Sequence, residues 1–228
     1  MEATPPACFV SRAQGSFGSL CFMRAYVYID GFNLYYGALK GTGFKWLDLS
    51  ALMSNLLPRN DIIRVKLFTA RITPRPNDLD ASKRQNAYLR ALGAHCSNLD
   101  IIYGHFLSNA TRMYLANPPV TGPRTVEVVK TEEKGSDVNL AVHMVDDAWR
   151  DLYDVGVVIS NDSDLAGPMK IVQGLKKTTG VITPGKRRPS QQLLRYSSFR
   201  KALRPAHLAT AQLPAQIPGT PISKPRAW

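Results

Sequence analysis

Four aspartates are the residues of this sequence best suited to metal-assisted chemistry: Asp30, Asp137, Asp162 and Asp164. Carboxylates that are brought together raise one another's pKa unless a cation neutralises them. Sites built only from oxygen ligands suit Mg²⁺ or Mn²⁺. Because such ions activate water and polarise phosphate oxygens, a shared site would favour hydrolysis of a phosphodiester.

The elements expected around these acids bring them to one edge of a sheet. An apolar strand over Arg24–Ile29 ends at Asp30, and another over Val155–Ser160 ends just before Asp162. Asp137 lies at the start of a helix predicted from Ser136 to about Arg150. Ligand sites in open α/β sheets form beyond the carboxyl ends of the strands, so we expect these acids to converge there.

Each acid also has a simpler interpretation. Asp30-Gly31 is typical of a turn, and Asp137 alone is a good helix cap. The segment from Asn161 to Asp164 is typical of a loop that leads into a capped helix. The combination of all three positions at strand ends or helix starts favours a site.

The other predicted elements alternate between strand and helix, which indicates a three-layer α/β/α sandwich with a mainly parallel sheet. Further strands are predicted over 62–72, 100–107 and 180–183, and further helices over 49–57, 77–92 and 165–175. Segments 111–116 and 125–130 are interpreted as a hairpin or an extended excursion.

The charge is distributed unevenly over three predicted regions. Residues 1–22 are interpreted as a disordered extension, 23–204 as one domain and 205–228 as a basic, proline-containing tail that packs on it. The formal charge is +12, and the 64 residues after Asp164 contain 12 Lys or Arg and no Asp or Glu. This asymmetry favours a polyanionic partner, first of all nucleic acid.

Other classes of protein fit the sequence poorly. No apolar run is long enough for a transmembrane helix, so no membrane partner is expected. Cys8, Cys21 and Cys96 lack metal or disulfide spacing, which favours a reducing cytoplasm. A dinucleotide-binding enzyme would need a glycine-rich turn after the first strand, and a phosphatase with an aspartate nucleophile would need an acid where Phe32 stands.

Three motifs resemble the signatures of the NYN domain family, LabA-like members of the PIN-like ribonuclease superfamily. They are Tyr28–Leu34 (YIDGFNL), Glu133–Leu140 (EKGSDVNL) and Ile159–Leu165 (ISNDSDL). The resemblance covers about Met23 to Pro184 and continues more weakly to Trp228. It implies a PIN-like fold with strand order 3-2-1-4-5, RNA hydrolysis dependent on Mg²⁺ or Mn²⁺, and a domain that can pair as a homodimer.

The resemblance assigns roles to individual residues. It makes the four aspartates both metal ligands and catalytic residues, and Asn33 the residue that positions a ligand or water. His143 stands where many relatives carry an acid, which leaves the number of metal ions open.

RNA contacts are predicted on either side of these motifs. Lys134 is a candidate phosphate contact, Arg187 and Arg188 follow the fifth strand, and Tyr35 is placed to stack on a base. The leading prediction is therefore cleavage of single-stranded RNA, with DNA left open. The alternatives are a non-catalytic RNA-binding or partner-recruiting module, and a transferase that holds a nucleotide-sugar metal through Asp162 and Asp164.

Overall fold

The computed structural model describes residues 22–74 and 78–228, so nearly all of the predicted N-terminal extension lies outside the described residues. A six-stranded parallel sheet forms the centre of this part, in the order β3-β2-β1-β6-β7-β8. Its strands are β1 (Met23–Asp30), β2 (Asn60–Thr69), β3 (Leu99–Tyr103), β6 (Val155–Ile159), β7 (Thr178–Thr183) and β8 (Phe199–Ala202). The antiparallel hairpin of β4 (His105–Tyr114) and β5 (Thr125–Lys134) lies outside it.

The prediction of an α/β fold with a mainly parallel sheet is confirmed, but the predicted strand order is not matched in full. The five expected strands are β3, β2, β1, β6 and β7, and β8 adds a sixth that pairs with β7. The strand predicted over 100–107 is also wrong in extent. It ends at Tyr103, and after Gly104 the chain enters the hairpin at His105.

Helices cover both faces of the sheet. On one face α2 (Leu49–Leu56) and α3 (Ala81–His95) pack against β1 and β2, and on the other α4 (Ser136–Trp149), α5 (Ala166–Gly174) and α6 (Gln191–Arg195) form a second core. A short helix α1 (Gly31–Leu34) continues into a π-helical turn over Tyr35–Leu39, and a 3₁₀ turn covers Ser163–Leu165. In the part of the chain that is described, no helix combines the length and apolarity needed to cross a bilayer.

Residues 205–228 pack against the first core. After α7 (Pro205–Ala209), Leu213 and Ile217 are buried, and Trp228 packs edge-on against Trp46 and Tyr88, with ring centroids 6.2 and 5.7 Å apart. This segment is thus part of the folded body of the protein.

A buried ion pair fixes α4 to the sheet. The Lys66 ammonium donates to Asp147 at 2.6 Å, and the Tyr28 hydroxyl donates to the same carboxylate oxygen at 2.8 Å. Burial, followed by nearby Tyr153 and Asp147, raises the pKa of Tyr28 far above its ordinary value, so the hydroxyl stays protonated. These bonds set the position of α4, whose first turn carries Asp137.

Candidate active site

Asp30 is a buried and fully oriented carboxylate at the end of β1. Its side chain is 4% exposed and caps α1 by accepting from the Asn33 backbone N–H at 2.9 Å. The other carboxylate oxygen accepts from Asn33 Nδ2 at 2.7 Å and from the Ser160 hydroxyl at 3.0 Å. Burial raises the pKa of Asp30, and the hydrogen bonds from Asn33 and Ser160 act in the opposite direction.

The chain reaches this position because Gly31 follows Asp30. A Cβ at Gly31 would lie 2.8 Å from the Phe68 carbonyl oxygen, so any larger residue would push α1 away from β2. The Asp30-Gly31 turn is therefore a point of close approach beside the carboxylate.

Asp162 and Asp164 follow β6, which lies beside β1. The Asp162 N–H donates to the Ser160 hydroxyl at 3.0 Å, and the Asp162 carboxylate accepts from the Asp164 N–H at 3.0 Å. Asp162 therefore caps the 3₁₀ turn through one oxygen, and no hydrogen bond to its other oxygen is present among the described residues. Asp164 is exposed.

Asp137 lies in the first turn of α4, with part of its side chain open to solvent. Loss of hydration is the largest of the effects that raise its pKa to about 6. The remaining effects are the negative charges of Asp30, Asp162, Glu133 and Asp164. The four predicted aspartates therefore come into one electrostatic neighbourhood, and Asn33 joins them through its bond to Asp30.

Glu133 is a member of this acidic group that the sequence reasoning missed. It is the penultimate residue of β5, and its carboxylate accepts from both the N–H and the hydroxyl of Ser136 at 3.1 and 2.8 Å, which holds the start of α4. Gly104 passes against it, because a Cβ there would lie 2.3 Å from the Glu133 carboxylate. The available signal was a glutamate three residues before a helix start, inside a motif already singled out.

Asn161 is a second missed residue, and it anchors the basic loop after β7. Its side chain donates to the Arg188 carbonyl at 3.1 Å and accepts from the Ser190 N–H at 2.7 Å. Arg187 and Asn33 both line a cleft of about 200 Å³ at this point, so Arg187 lies beside the acidic group. Arg188 contributes its carbonyl here, and its side chain is exposed.

The other two predicted RNA-binding residues contact neighbouring side chains. The Lys134 ammonium is 3.3 Å from the Glu132 carboxylate on the exposed hairpin. Tyr35 packs edge-on against Tyr36, with ring centroids 5.2 Å apart, and lines a separate cavity. Their contact with RNA stays a prediction.

His143 belongs to the buried network under α4. Its Nδ1 lies 3.3 Å from the Lys66 ammonium, and its ring is 5.6 Å from that of Phe68. It is therefore not an additional member of the acidic group.

The carboxylates of the acidic group suit a hard divalent cation, although they do not form a closed coordination shell. Among residues 22–74 and 78–228, no three His, Cys, Asp or Glu side chains are grouped closely enough to hold a metal ion. Mg²⁺ in proteins is often held by one or two carboxylates and several waters, which an open group of acids can provide. Because Asp30 already accepts three hydrogen bonds, it has room for about one further bond to a cation.

The chain belongs to the NYN domain family, a family of PIN-like ribonucleases. The family's sequence model matches residues 24–200. NYN domains generally bind RNA.

One relative has a name that points to different chemistry. The chain is 33% identical over 237 residues to 6-hydroxy-3-succinoylpyridine 3-monooxygenase HspA from Pseudomonas putida. The aligned region covers 90% of this chain and 75% of that protein. A crystal structure of a protein of unknown function from Vibrio parahaemolyticus has the same fold. Its TM-score is 0.51 at 15% identity, with 83% of this chain and 98% of that one covered.

Proposed function

We propose that the protein is a metal-dependent ribonuclease that hydrolyses phosphodiester bonds of single-stranded RNA. The observation that carries the proposal is that the Ser160 hydroxyl joins Asp30 at the end of β1 to Asp162 after β6, close enough to Asp137 for their charges to add to the effect of burial on its pKa. Such a group of carboxylates repels itself unless a cation neutralises it. Family membership supports the same chemistry.

Asp30, Asp137 and Asp162 would hold Mg²⁺ or Mn²⁺, with Asp164 as a further ligand or a partner of Asp162. The ion, when bound, would activate water and offset the charge that develops on the phosphate. Asn33 and Ser160 keep the Asp30 carboxylate oriented, so one ligand is in place before any cation arrives.

Asn161 and Arg187 would hold the RNA next to these acids. Asn161 ties down the loop that follows β7, and this keeps Arg187 at the cleft beside Asn33. A guanidinium in this position can pair with a phosphate of the strand and offset its repulsion by the acids.

The test is cleavage of a labelled single-stranded RNA in Mg²⁺, Mn²⁺ or EDTA, with a DNA of the same sequence beside it. We expect Asp30→Asn and Asp162→Asn each to lower the rate by about 100-fold or more, which is typical of losing one preorganised electrostatic group. Asp61→Asn is the matched control, because Asp61 is an exposed acid at the start of β2. Equal cleavage by all four proteins would contradict the proposal. RNA binding in EDTA without turnover in any metal would instead support a non-catalytic RNA-binding module.

The monooxygenase relative supports a second candidate function, oxygenation of a pyridine ring. The name places this reaction at ring carbon 3, which carries the succinoyl group. One atom of O₂ would become a hydroxyl on that carbon, the succinoyl group would leave as an aldehyde, and the other oxygen atom would be reduced to water, with four electrons and four protons from a reductant. Incubation with 6-hydroxy-3-succinoylpyridine, O₂ and NADH, followed by measurement of pyridine loss and oxygen uptake, tests it separately from RNA cleavage. Absence of both pyridine loss and oxygen uptake would reject this candidate.

A cytoplasmic location and a homodimer stay predictions. Cys96 is a buried free thiol, which is compatible with a reducing compartment. Light scattering on the protein as it elutes from a size-exclusion column would measure its oligomeric state.

A further inference from the structure

A cavity of about 380 Å³ lies next to the acidic group but does not include it. Gly31 and Phe32, which directly follow Asp30, form part of its wall, whereas the Asp30 carboxylate faces Asn33 and Ser160. The opposite wall is the N-terminal half of α3. Its volume falls within the range of about 300–1,000 Å³ that is usual for small-ligand sites.

Five aromatic side chains contribute to the lining: Phe32, Tyr35, Tyr36, Tyr88 and Trp228. Tyr35 packs edge-on against Tyr36, and Tyr88 against Trp228, with ring centroids 5.2 and 5.7 Å apart. Flat aromatic walls select planar rings, because offset stacking and edge-to-face packing both reward them.

The charged groups of the cavity favour an anion. Lys40, Lys45 and Arg84 line it together with one acid, Asp78. Arg84 and Asp78 neutralise each other through two hydrogen bonds of 2.7 and 2.5 Å. Among the described residues no acid pairs with Lys40 or Lys45, so the cavity keeps a net positive charge.

We infer that this cavity is a binding site for a planar aromatic ring that carries an anionic group. The ring lies between the tyrosines and Trp228, and the anion pairs with Lys45, which is half-buried, and with Lys40 at the rim. A nucleotide of an RNA strand and a free aromatic acid share this chemistry. The site does not depend on catalysis by the acidic group, so it goes beyond the proposed ribonuclease function.

Isothermal titration of the full chain tests the assignment. The probes are uridine monophosphate and nicotinate as ring-bearing anions, with uridine and nicotinamide as their uncharged counterparts. We expect saturable binding of at least one anion. Lys45→Gln should weaken it about fivefold to tenfold and leave the uncharged counterpart unchanged, because only the ion pair is lost. Lys170→Gln, an exposed lysine on α5, is the matched control.

The ring contribution is tested by Trp228→Ala and Tyr36→Ala. Each should weaken charged and uncharged probes alike by about tenfold, the effect expected for loss of one stacking partner. Tyr36 is 52% exposed, so its replacement leaves the core intact even if removal of Trp228 loosens the fold. Trp149→Phe, at an exposed tryptophan of α4, is the control.

The outcomes separate the two sources of ligand. Binding of uridine monophosphate alone assigns the cavity to a nucleotide, and binding of nicotinate alone assigns it to a free aromatic acid; both support the inference. The inference would be overturned if neither anion showed saturable binding. It would also be overturned if the anions bound the cavity variants and the control variants with the same affinity as the wild-type protein. Asp162→Asn, at a residue outside the cavity lining, should bind both probes normally, so failure of the ribonuclease proposal leaves this result intact.

Discussion

Replacing Asp137 with asparagine should stabilise the protein at neutral pH and abolish the proposed RNA cleavage. The aspartate carries a negative charge into a group that already contains Asp30, Asp162, Glu133 and Asp164, and its pKa is raised to about 6 from 3.8. A carboxyl whose pKa is higher in the folded chain than in the unfolded chain opposes folding whenever it is ionised. Asparagine keeps the shape of the side chain and removes that charge.

The size of the effect follows from the pKa difference after allowance for solvent. The full difference corresponds to about 3 kcal/mol. Because Asp137 is exposed and its interactions are screened, about 1 kcal/mol is the realistic gain for Asp137→Asn. For a chain of this size, this gain raises Tm by about 2–4 °C.

The pH dependence of unfolding gives the direction in which Asp137 affects stability. Between pH 4 and 6 the folded state holds the Asp137 proton more tightly than the unfolded state, so the stability contributed by this group falls as pH rises. The gain from Asp137→Asn should therefore be complete above about pH 6 and absent below about pH 4. Thermal unfolding from pH 4 to 8 measures it, with Asp61→Asn as the exposed control.

Mn²⁺ should make the wild-type protein more stable than the Asp137→Asn variant. At a free concentration ten times the Kd, a bound ion stabilises the wild-type protein by about 1.4 kcal/mol, and Asp137→Asn should lose most of that gain. A variant that is no more stable than wild type at pH 7.5, or equally stabilised at pH 4, would refute the electrostatic reasoning. Equal stabilisation of both proteins by Mn²⁺ would refute the role of Asp137 as a ligand.

Three further changes test the scaffold and the site. Lys66→Met should lower the free energy of unfolding in urea by about 3–5 kcal/mol, because it leaves the Asp147 carboxylate buried without its cation. Adding Asp147→Asn should restore most of that loss. No recovery would argue against the ion pair as the cause. Gly104→Ala should cost about 1–3 kcal/mol, because its Cβ would lie 2.7 Å from the Lys134 carbonyl oxygen, and an unchanged Tm would contradict that contact. Ser160→Ala removes one donor to the carboxylate that ends β1, so RNA cleavage should fall about tenfold with an unchanged circular dichroism spectrum. Full activity of this variant would show that the hydroxyl is not needed to orient the acid.

The central strands and their acids were accessible from the sequence because local signals agreed with the tertiary structure. β1 and β6 are continuous apolar runs that end at polar residues, and parallel strands place such ends at one edge. Asp30 and Asp162 were therefore predictable from position alone, and family resemblance supplied Asn33.

The features that were missed depend on contacts between distant segments. β8 is only four residues long and contains Arg200 and Lys201, so its pairing with β7 determines its structure more than its own composition does. Glu133 entered the sequence analysis only as the first residue of a motif, and its bonds to Ser136 show what it does. The aromatic cavity was equally hidden, because its walls come from parts of the chain far apart in sequence.

The three hydrogen bonds on Asp30 have a consequence for the order of events at the site. Asp30 loses its side-chain freedom when the protein folds, since Asn33 and Ser160 hold both of its oxygens. Asp137 is exposed, and Asp162 is held through only one oxygen. An arriving cation would thus meet one stationary carboxylate first and draw the mobile ones in afterwards. Mutations at Asn33 or Ser160 would then be expected to slow capture of the ion, and mutations at Asp137 to hasten its escape.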